Sequence, residues 1–356
     1  MEARSLNGIL VTSNDNVFYT TGLPVTRGQQ NPILFGLSNK FPPYAVIHPD
    51  GIPSSIVWTG AIGNHELWTK DVRTSFFPGG TTEELLSCVE ESFSKRSKIG
   101  VESTFPFPLA EKVKGKLEDV ELEIVDDIFE ELRIKKSAEE IAKLKKSLDI
   151  AEQVEKRVFE EMRPDWTVFK LVSRSKQLIF ELGGTGVDHT TIAIGKSNPE
   201  ILEDFKSNIG DIVVLDIGAI LDGYVSDTRR LGHIGEAPEP LKNLNGVMAN
   251  IVTETGANLI PGKTFAQICE EVEARFKKQG RDPLFLSAGH SIGIQTEEVW
   301  ITRDSNRMIE ENMIFNIELY SSLETGRWVG TEDTFLVTAS GGQQLSNLPH
   351  DIIEIK

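Results

Sequence analysis

The chain has 356 residues, of which 39% are hydrophobic and 26% charged, and it carries a formal net charge of -17. This composition is typical of a globular protein whose length indicates two domains. The negative charge argues against a nucleic-acid backbone or an anionic membrane as the main partner, and no apolar run approaches the ~18 residues of a membrane span. Cys88 and Cys269 are far apart in the sequence, which predicts two buried thiols in a cytoplasmic protein and no disulfide framework.

The first part of the chain alternates strand-like and helix-like segments. The segment TEELLSCVEESFS places Leu85, Leu86, Val89 and Phe93 on one helical face. Pro-Asp-Gly follows the apolar run of 43–48 and predicts a turn after a strand. These patterns predict an α/β domain whose sheet is covered by helices. The predicted strands are 8–13, 43–51, 54–60, 98–102 and 120–127, and the predicted helices are 82–94 and 109–117.

A long amphipathic helix begins the second part. Ser137 and Glu140 form a capping-box pattern, and apolar residues then recur at three- and four-residue steps until Pro164 ends the helix. We therefore place the boundary within 131–137 and predict domains at 1–132 and 133–356. The second domain is predicted to contain further helices at 166–182, 240–257 and 264–278, and strands at 187–195, 211–219, 224–230, 313–320 and 331–338.

Two aspartates interrupt the strand-like stretch VVLDIGAILDGYVSDTRR. Asp216 and Asp227 flank the turn residues Asp222-Gly223, and their odd separation places both side chains on one face of an antiparallel hairpin, directly opposed or diagonal. Two carboxylates on a buried face repel, and a bound cation would remove the conflict. A chance pair of acids in a partly hydrated hairpin is the alternative at this point.

Three more residues of metal-ligand type stand in strand-like or turn-like segments of the same domain. His290 lies in SAGHSIG, for which we predict a Gly-rich turn, Glu318 in MIFNIELY and Glu332 in GTEDTFLV. A set of four carboxylates and one imidazole suits Mn, Co, Fe or Zn better than Ca or Mg. Four carboxylate charges formally balance two divalent ions, which favours a two-metal site.

With these residues in place, the chain resembles the pita-bread metallopeptidases, which include methionine aminopeptidase, Xaa-Pro aminopeptidase and prolidase. The resemblance rests on LDIGA, GYVSDTRR, GHSIG, MIFNIE and TEDTFLVT, and it extends to NVFYTTGLP, KIGVE and ELRIKKSAEEI in the first domain. It thus spans nearly the whole chain and is nearer to the prolidase and Xaa-Pro aminopeptidase branch. The implied fold is an α/β creatinase-like N-terminal domain followed by an α+β pita-bread catalytic domain.

The resemblance implies a ligand set and an activity. Asp216 would bind one ion, Asp227 and Glu332 would bridge both, and His290 and Glu318 would complete the second. Glu318 would also carry the proton during hydrolysis. The implied protein is a dinuclear exopeptidase that uses two Mn, Co or Zn ions to cleave short peptides, with Xaa-Pro bonds as the expected target. A cytoplasmic homodimer without nucleic-acid or membrane partners is expected.

The sequence departs from the family pattern at three places. Glu297 stands seven residues after His290, where the family has a second histidine, Pro199-Glu200 stands where it has another, and Gly330 replaces a common arginine. These changes leave the expected metal ligands intact but alter the substrate pocket. Glu297 and His189 are the candidate substrate-binding residues, with a structural role as the alternative for His189. Two other functions stay open: a metal-dependent enzyme for a non-peptide small molecule, and a non-catalytic peptide- or protein-binding module of the same fold.

Overall fold

The computed structural model describes residues 1–23, 42–58, 67–77, 80–199, 203–324 and 326–356. By internal packing the chain divides into two compact units, Met1–Leu132 and Arg133–Lys356. None of the described helices combines the length and apolar character that crossing a bilayer requires.

The first unit is an α/β structure around one mixed sheet. Its described strands follow the order β4-β3-β2-β1-β5-β6, and β1 pairs antiparallel with β2 and parallel with β5. Leu10 packs in one apolar cluster while Ile9 and Val11 pack in the other, so the two faces of β1 serve two different clusters, as the two-residue period of a strand requires. The elements are β1 (Gly8–Val11), α1 (Asn14–Thr21), β2 (Tyr44–Ile47), β3 (Pro53–Trp58), β4 (Asp71–Ser75), α2 (Thr81–Ser92), β5 (Lys98–Val101), α3 (Phe107–Lys116), β6 (Glu121–Ile124) and α4 (Asp126–Ile134).

The second unit combines four described helices with two sheets. The predicted capping box is present: the Ser137 hydroxyl accepts from the Glu140 amide, and the Glu140 carboxylate accepts from the Ser137 amide. The elements are α5 (Ala138–Glu161), α6 (Val168–Glu181), β7 (Gly186–Thr190), β8 (Ala193–Ile194), β9 (Ile212–Leu221), β10 (Tyr224–Val225), β11 (Thr228–Ile234), α7 (Glu239–Ala257), α8 (Phe265–Lys278), β12 (Ser287–Ser291), β13 (Trp300–Thr302), β14 (Ile314–Ser322), β15 (Trp328–Thr338), β16 (Gly341–Gln344) and β17 (Ile353–Ile355).

The two sheets of the second unit each turn one apolar face toward a helix pair. In the described strands one sheet has the order β10-β9-β11-β17, with β7 and β8 also paired to β9, and the other has the order β13-β12-β14-β15-β16. On β9 the odd-numbered residues 213–219 pack in one core with α5 and α6. On β14, Phe315, Ile317 and Leu319 pack in a second core with α7 and α8. Because side chains alternate along a strand, Asp216 and Glu318 lie on the faces that point away from these cores.

Candidate metal centre

A two-residue hairpin brings Asp216 and Asp227 to one face of β9 and β11. Asp222 and Gly223 form the turn with φ values of 50° and 86°. Positive φ at both central positions gives the turn whose twist matches its flanking strands. The same pairing register continues into β11, where Arg229 lies opposite Asp216. Asp227, two residues before Arg229, is therefore the diagonal neighbour of Asp216 on one face, which is one of the two arrangements that the odd separation predicts.

The other three predicted ligands come from the second sheet of this unit. Glu318 on β14 and Glu332 on β15 are a directly opposed cross-strand pair. His290 lies on β12 opposite Asn316, so its predicted placement in a turn is wrong. The glycine that suggested a turn serves close strand approach instead: Gly289 has a φ of 123°, and a Cβ there would lie 2.0 Å from the Asn316 carbonyl oxygen.

The first group of ligand-type atoms surrounds the His290 imidazole. Its Nε2 atom lies 3.5 Å from Asp227 Oδ2 and 3.9 Å from Glu318 Oε2. Asp227, His290 and Glu332 each offer one ligand atom within 4.8 Å of the others, and all three residues are buried. The structure thus brings these predicted ligands together at one point.

A second group surrounds His189 of β7. Its Nε2 atom lies 2.9 Å from Asp216 Oδ1 and 3.3 Å from Asp227 Oδ1. His189, Asp216 and Asp227 also offer ligand atoms within 4.8 Å of one another. Asp227 is common to the two groups, and its two carboxylate oxygens face different histidines.

A buried guanidinium joins the cluster between two of the carboxylates. Arg229 Nη1 donates to Glu318 Oε1 at 2.9 Å and to the Tyr320 hydroxyl, and Nη2 donates to Asp216 Oδ2. The Tyr320 hydroxyl in turn donates to Glu318 Oε1. Asp216 and Glu318 therefore each have one oxygen held by protein donors, which leaves the other oxygen facing a histidine.

Gly330 accommodates this arrangement. A Cβ at this position would lie 2.5 Å from the Tyr320 ring and 2.8 Å from Arg229 Nη1, so no larger side chain fits without displacing one of them. Position 330 therefore lacks the family's arginine, and the guanidinium of Arg229 on β11 lies beside it instead.

The pKa values of the cluster's carboxyl groups move in opposite directions. Burial acts to raise the pKa of Asp216, but the Arg229 guanidinium and the His189 ring together outweigh it and hold that pKa below its usual range. Burial raises the pKa of Glu318 to about 7, with Arg229 opposing and Asp227 reinforcing the rise. Burial and the neighbouring carboxylates raise the pKa of Glu332 well above its usual range. Arg229 alone is therefore too little positive charge to ionise the whole set.

The residues present fit the metal ions that the resemblance implies. Glu332 is 1% exposed, and its Oε1 atom is buried without a hydrogen-bond partner in the described part of the chain. Its Oε2 atom accepts from the Asn316 amide at 3.2 Å. An unpaired buried carboxylate oxygen is costly unless a cation takes its lone pairs. The imidazole and carboxylate donors together suit Mn, Co, Fe or Zn.

The other two departures from the family pattern, at Glu297 and at Pro199-Glu200, do not contribute to the described cluster. Glu297 is exposed in the segment between β12 and β13, and none of the contacts that join the cluster involves it. In the Pro199-Glu200 departure, Pro199 is exposed, and Glu200 lies outside the described residues, so the structure gives no placement for Glu200.

Reasoning from the sequence missed Arg229 and Tyr320. Arg229 lies two residues beyond Asp227, which directly precedes β11, and Tyr320 lies two residues beyond Glu318 on β14. Strand alternation therefore places them on the ligand face, and this period was the signal available in the sequence.

Comparisons with known proteins agree with the fold. Residues 142–339 match the model of metallopeptidase family M24, and residues 1–135 match the creatinase/prolidase N-terminal domain. The Xaa-Pro dipeptidase of Pyrococcus horikoshii is 23% identical over 99% of this chain and 96% of its own length. The crystal structure of the P. horikoshii prolidase superposes with a TM-score of 0.84 at 23% identity, covering 99% of this chain and 97% of that one. The X-Pro aminopeptidase of Thermotoga maritima superposes with a TM-score of 0.81 at 20% identity, covering 98% of both chains.

These matches confirm the expected fold, a creatinase-type N-terminal domain followed by a pita-bread domain. The family model covers more than half of the chain, and the buried cluster of carboxylates and histidines lies within the matched residues. The chain belongs to metallopeptidase family M24.

Proposed function

We propose that this protein is a metal-dependent exopeptidase that hydrolyses short peptides at Xaa-Pro bonds. The observation that carries the proposal is the pair of imidazole–carboxylate groups sharing Asp227, set in a family of metallopeptidases. The names of the relatives, Xaa-Pro dipeptidase and X-Pro aminopeptidase, support the choice of substrate class.

The proposed cofactor is a pair of divalent ions, with Mn, Co or Zn as candidates. Asp216 would hold one ion, His290 and Glu318 the other, and Asp227 and Glu332 would bridge them. The separate directions of the two Asp227 oxygens support the bridging role. Bound divalent ions would act as Lewis acids on the scissile carbonyl and stabilise the negative charge that develops there.

The chain's own contribution to the reaction centres on Glu318. Arg229 and Tyr320 hold its Oε1 atom, so the carboxylate has a fixed orientation with Oε2 toward His290. In the metal-free protein its pKa is about 7. Bound divalent ions would lower that pKa and keep the carboxylate ionised, so that it can accept a proton and then release it to the leaving amine.

A peptide panel tests the proposal. Protein freed of metal is reconstituted with Mn, Co or Zn and offered Xaa-Pro dipeptides, matched Xaa-Ala dipeptides and longer Xaa-Pro peptides. We expect metal-dependent release of the N-terminal residue, fastest from one of the Xaa-Pro series. Metal binding with no cleavage of any peptide would overturn the proposal in favour of a non-peptide substrate. Failure to bind metal would favour a binding module.

The proposal extends to pocket, assembly and location. We infer that Glu297 contacts substrate, that the protein is a homodimer and that it acts in the cytoplasm, on the resemblance to the prolidase branch. Light scattering is expected to give twice the chain mass of 39.5 kDa. A monomer at micromolar concentration would contradict the dimer without affecting the proposed activity.

A further inference from the structure

His189 has the surroundings of a metal ligand on both ring nitrogens. Its Nε2 atom lies between Asp216 and Asp227, as described above. Its Nδ1 atom lies 3.0 Å from Asp188 Oδ2, and that carboxylate oxygen also accepts from the Thr296 hydroxyl. A carboxylate that accepts from one ring nitrogen fixes the tautomer in which the other nitrogen presents its lone pair, and metal-binding histidines are typically held in this way.

We propose that His189 is a sixth protein ligand of the metal centre and binds the ion held by Asp216 and Asp227. This inference rests on the proposed function only in requiring that the centre bind divalent ions. Each of the two ions would then have one imidazole, His189 on one side and His290 on the other.

The distances between the donor atoms agree with this role. Ligand atoms lie about 2.0–2.2 Å from a first-row divalent ion, so two neighbouring ligands are about 2.8–3.1 Å apart in octahedral geometry and about 3.3–3.6 Å apart in tetrahedral geometry. His189 Nε2 is 2.9 Å from Asp216 Oδ1 and 3.3 Å from Asp227 Oδ1. Both separations are those of atoms that share an ion.

The carboxylate oxygens of Asp216 and Asp227 point in directions that agree with two separate ion positions. Arg229 holds Asp216 Oδ2, so Oδ1 is the atom that faces His189. Asp227 presents Oδ1 to His189 and Oδ2 to His290. The Oε1 atom of buried Glu332, which has no hydrogen-bond partner among the described residues, is an independent indication that the cluster binds a cation.

The alternative role for His189 is that of a cation itself. A doubly protonated ring would donate to Asp188 through Nδ1 and to Asp216 and Asp227 through Nε2. Its positive charge would then stand where one of the two metal ions would otherwise bind. The two roles predict different numbers of bound divalent ions. If His189 is a ligand, the chain can bind two ions, whereas if it is an imidazolium, the chain can bind only one.

Cobalt-substituted protein distinguishes the two roles without any measurement of activity. A histidine bound to Co²⁺ through Nε2 gives a strongly shifted, exchangeable Nδ1–H proton signal. We expect two such signals and two Co²⁺ per chain in the native protein, and one signal in His189→Phe, with at least a tenfold loss of affinity for one ion. His48→Phe, in the N-terminal unit, is the matched control and should keep both signals.

Two results would overturn the proposal: a native protein with one shifted imidazole signal and one ion, or a His189→Phe variant that keeps both signals and both affinities. Should His189→Phe fail to fold, Asp188→Asn supplies the test, since loss of a carboxylate partner typically lowers metal affinity about 10–100-fold. Unchanged affinity for both ions in that variant would count against the ligand role. A protein that shows both signals but cleaves no peptide would refute the proposed function and leave this inference standing.

Discussion

The Glu318 carboxylate has a fixed orientation in the described cluster. Its Oε1 atom accepts hydrogen bonds from Arg229 and Tyr320, and its Oε2 atom faces His290. Replacement by glutamine keeps the shape but removes the proton acceptor. We expect Glu318→Gln to lower the rate of peptide hydrolysis by about 10²–10⁴-fold, the usual cost of losing a general base. Steady-state kinetics on the best Xaa-Pro peptide measures the loss.

The matched control is Glu239→Gln, at an exposed position at the start of α7. It should leave the rate unchanged. Native turnover by Glu318→Gln with metal bound would show that another group carries the proton.

Glu298 gives the second unit a dependence on pH. Its carboxylate is 2.6 Å from Arg133 Nη2 and 2.9 Å from Lys136 Nζ, and all three side chains are buried. Burial acts to raise the pKa of Glu298, but the two cations outweigh it and hold the pKa below its usual range. A depressed folded-state pKa contributes stability above the unfolded-state pKa of ~4.3, and this contribution is lost as the pH falls through the folded value.

We therefore expect Glu298→Gln to destabilise the protein at neutral pH, because it leaves two buried cations without their counter-ion. The difference from the native protein should shrink as the pH falls below ~4.3, because the carboxylate is then protonated in the unfolded state while it is still ionised in the folded state. Denaturant unfolding at pH 7 and at pH ~3 measures both values. A difference that does not change with pH would show that the stabilisation is not electrostatic.

The pKa of Glu155 shifts in the opposite direction, because no cation among the described residues lies at hydrogen-bond distance from it. Burial raises its pKa well above the usual range, and its Oε1 atom has no partner among the described residues. The same residue type at two buried positions thus differs in the direction of its pKa shift because its neighbours differ, which is information that the sequence pattern does not contain.

At the scale of elements, β14 and β15 approach each other closely at the pair Tyr320 and Gly330. A Cβ at position 330 would meet the Tyr320 ring and the Arg229 guanidinium. We expect Gly330→Ala to destabilise the protein by about 1–3 kcal/mol, the usual cost of overpacking a well-packed site. Thermal unfolding measures the change.

Gly246→Ala is the control, because no atom lies within 4 Å of a Cβ at that position on α7. Alanine is a better helix former than glycine, so this variant should be equally or more stable. Equal stability of Gly330→Ala and the native protein would mean that Tyr320 and Arg229 can move aside without cost.

The elements that the sequence predicts well have strong local patterns. The capping box and long apolar period of α5 predict its start and length, and α7 and α8 are predicted to within one residue at each end. The short elements α1 and β4 were missed. The former begins at Asn14 with a Ser13 cap but has little apolar asymmetry, and the latter has mostly exposed side chains, so neither shows a clear period.

The candidate site was predictable only in part. Acid residues within apolar strands indicate ligands, because buried carboxylates require partners. The register of β9 against β11 decides that Arg229, and not Asp227, lies opposite Asp216. Likewise, the pairing of β7 with β9 brings His189 to the cluster, and no local pattern specifies that long-range pairing.

At the scale of the molecule, the metal ions are expected to stabilise the fold. Ions that bind the native state alone add stability by mass action, about 2.7 kcal/mol when the free ion is at 100 times its dissociation constant. We expect chelation to lower the melting temperature, since it restores repulsion among the clustered carboxylates. Calorimetry with and without EDTA measures the effect.

A variant of Asp227, the residue common to both groups of ligand-type atoms, is the control for the chelation experiment. Asp227→Asn weakens both groups at once, so its melting temperature should depend little on EDTA. A native protein shown by elemental analysis to have lost its metal without any change in melting temperature would contradict the proposed centre.

The buried amide of Asn316 has a consequence for how fast ions enter. Its Nδ2 atom donates to the Asp227 carbonyl oxygen at 3.0 Å and to Glu332 Oε2 at 3.2 Å, and its Oδ1 atom accepts from Thr334 at 2.5 Å. The Asn316 side chain thus links the backbone beside β11 in one sheet to β15 in the other, and these hydrogen bonds do not require a bound ion. We therefore expect metal uptake to need no slow backbone closure, so that its rate depends on encounter and on how readily the ion sheds its hydration water. Mn²⁺ would then load faster than Mg²⁺, which dehydrates reluctantly.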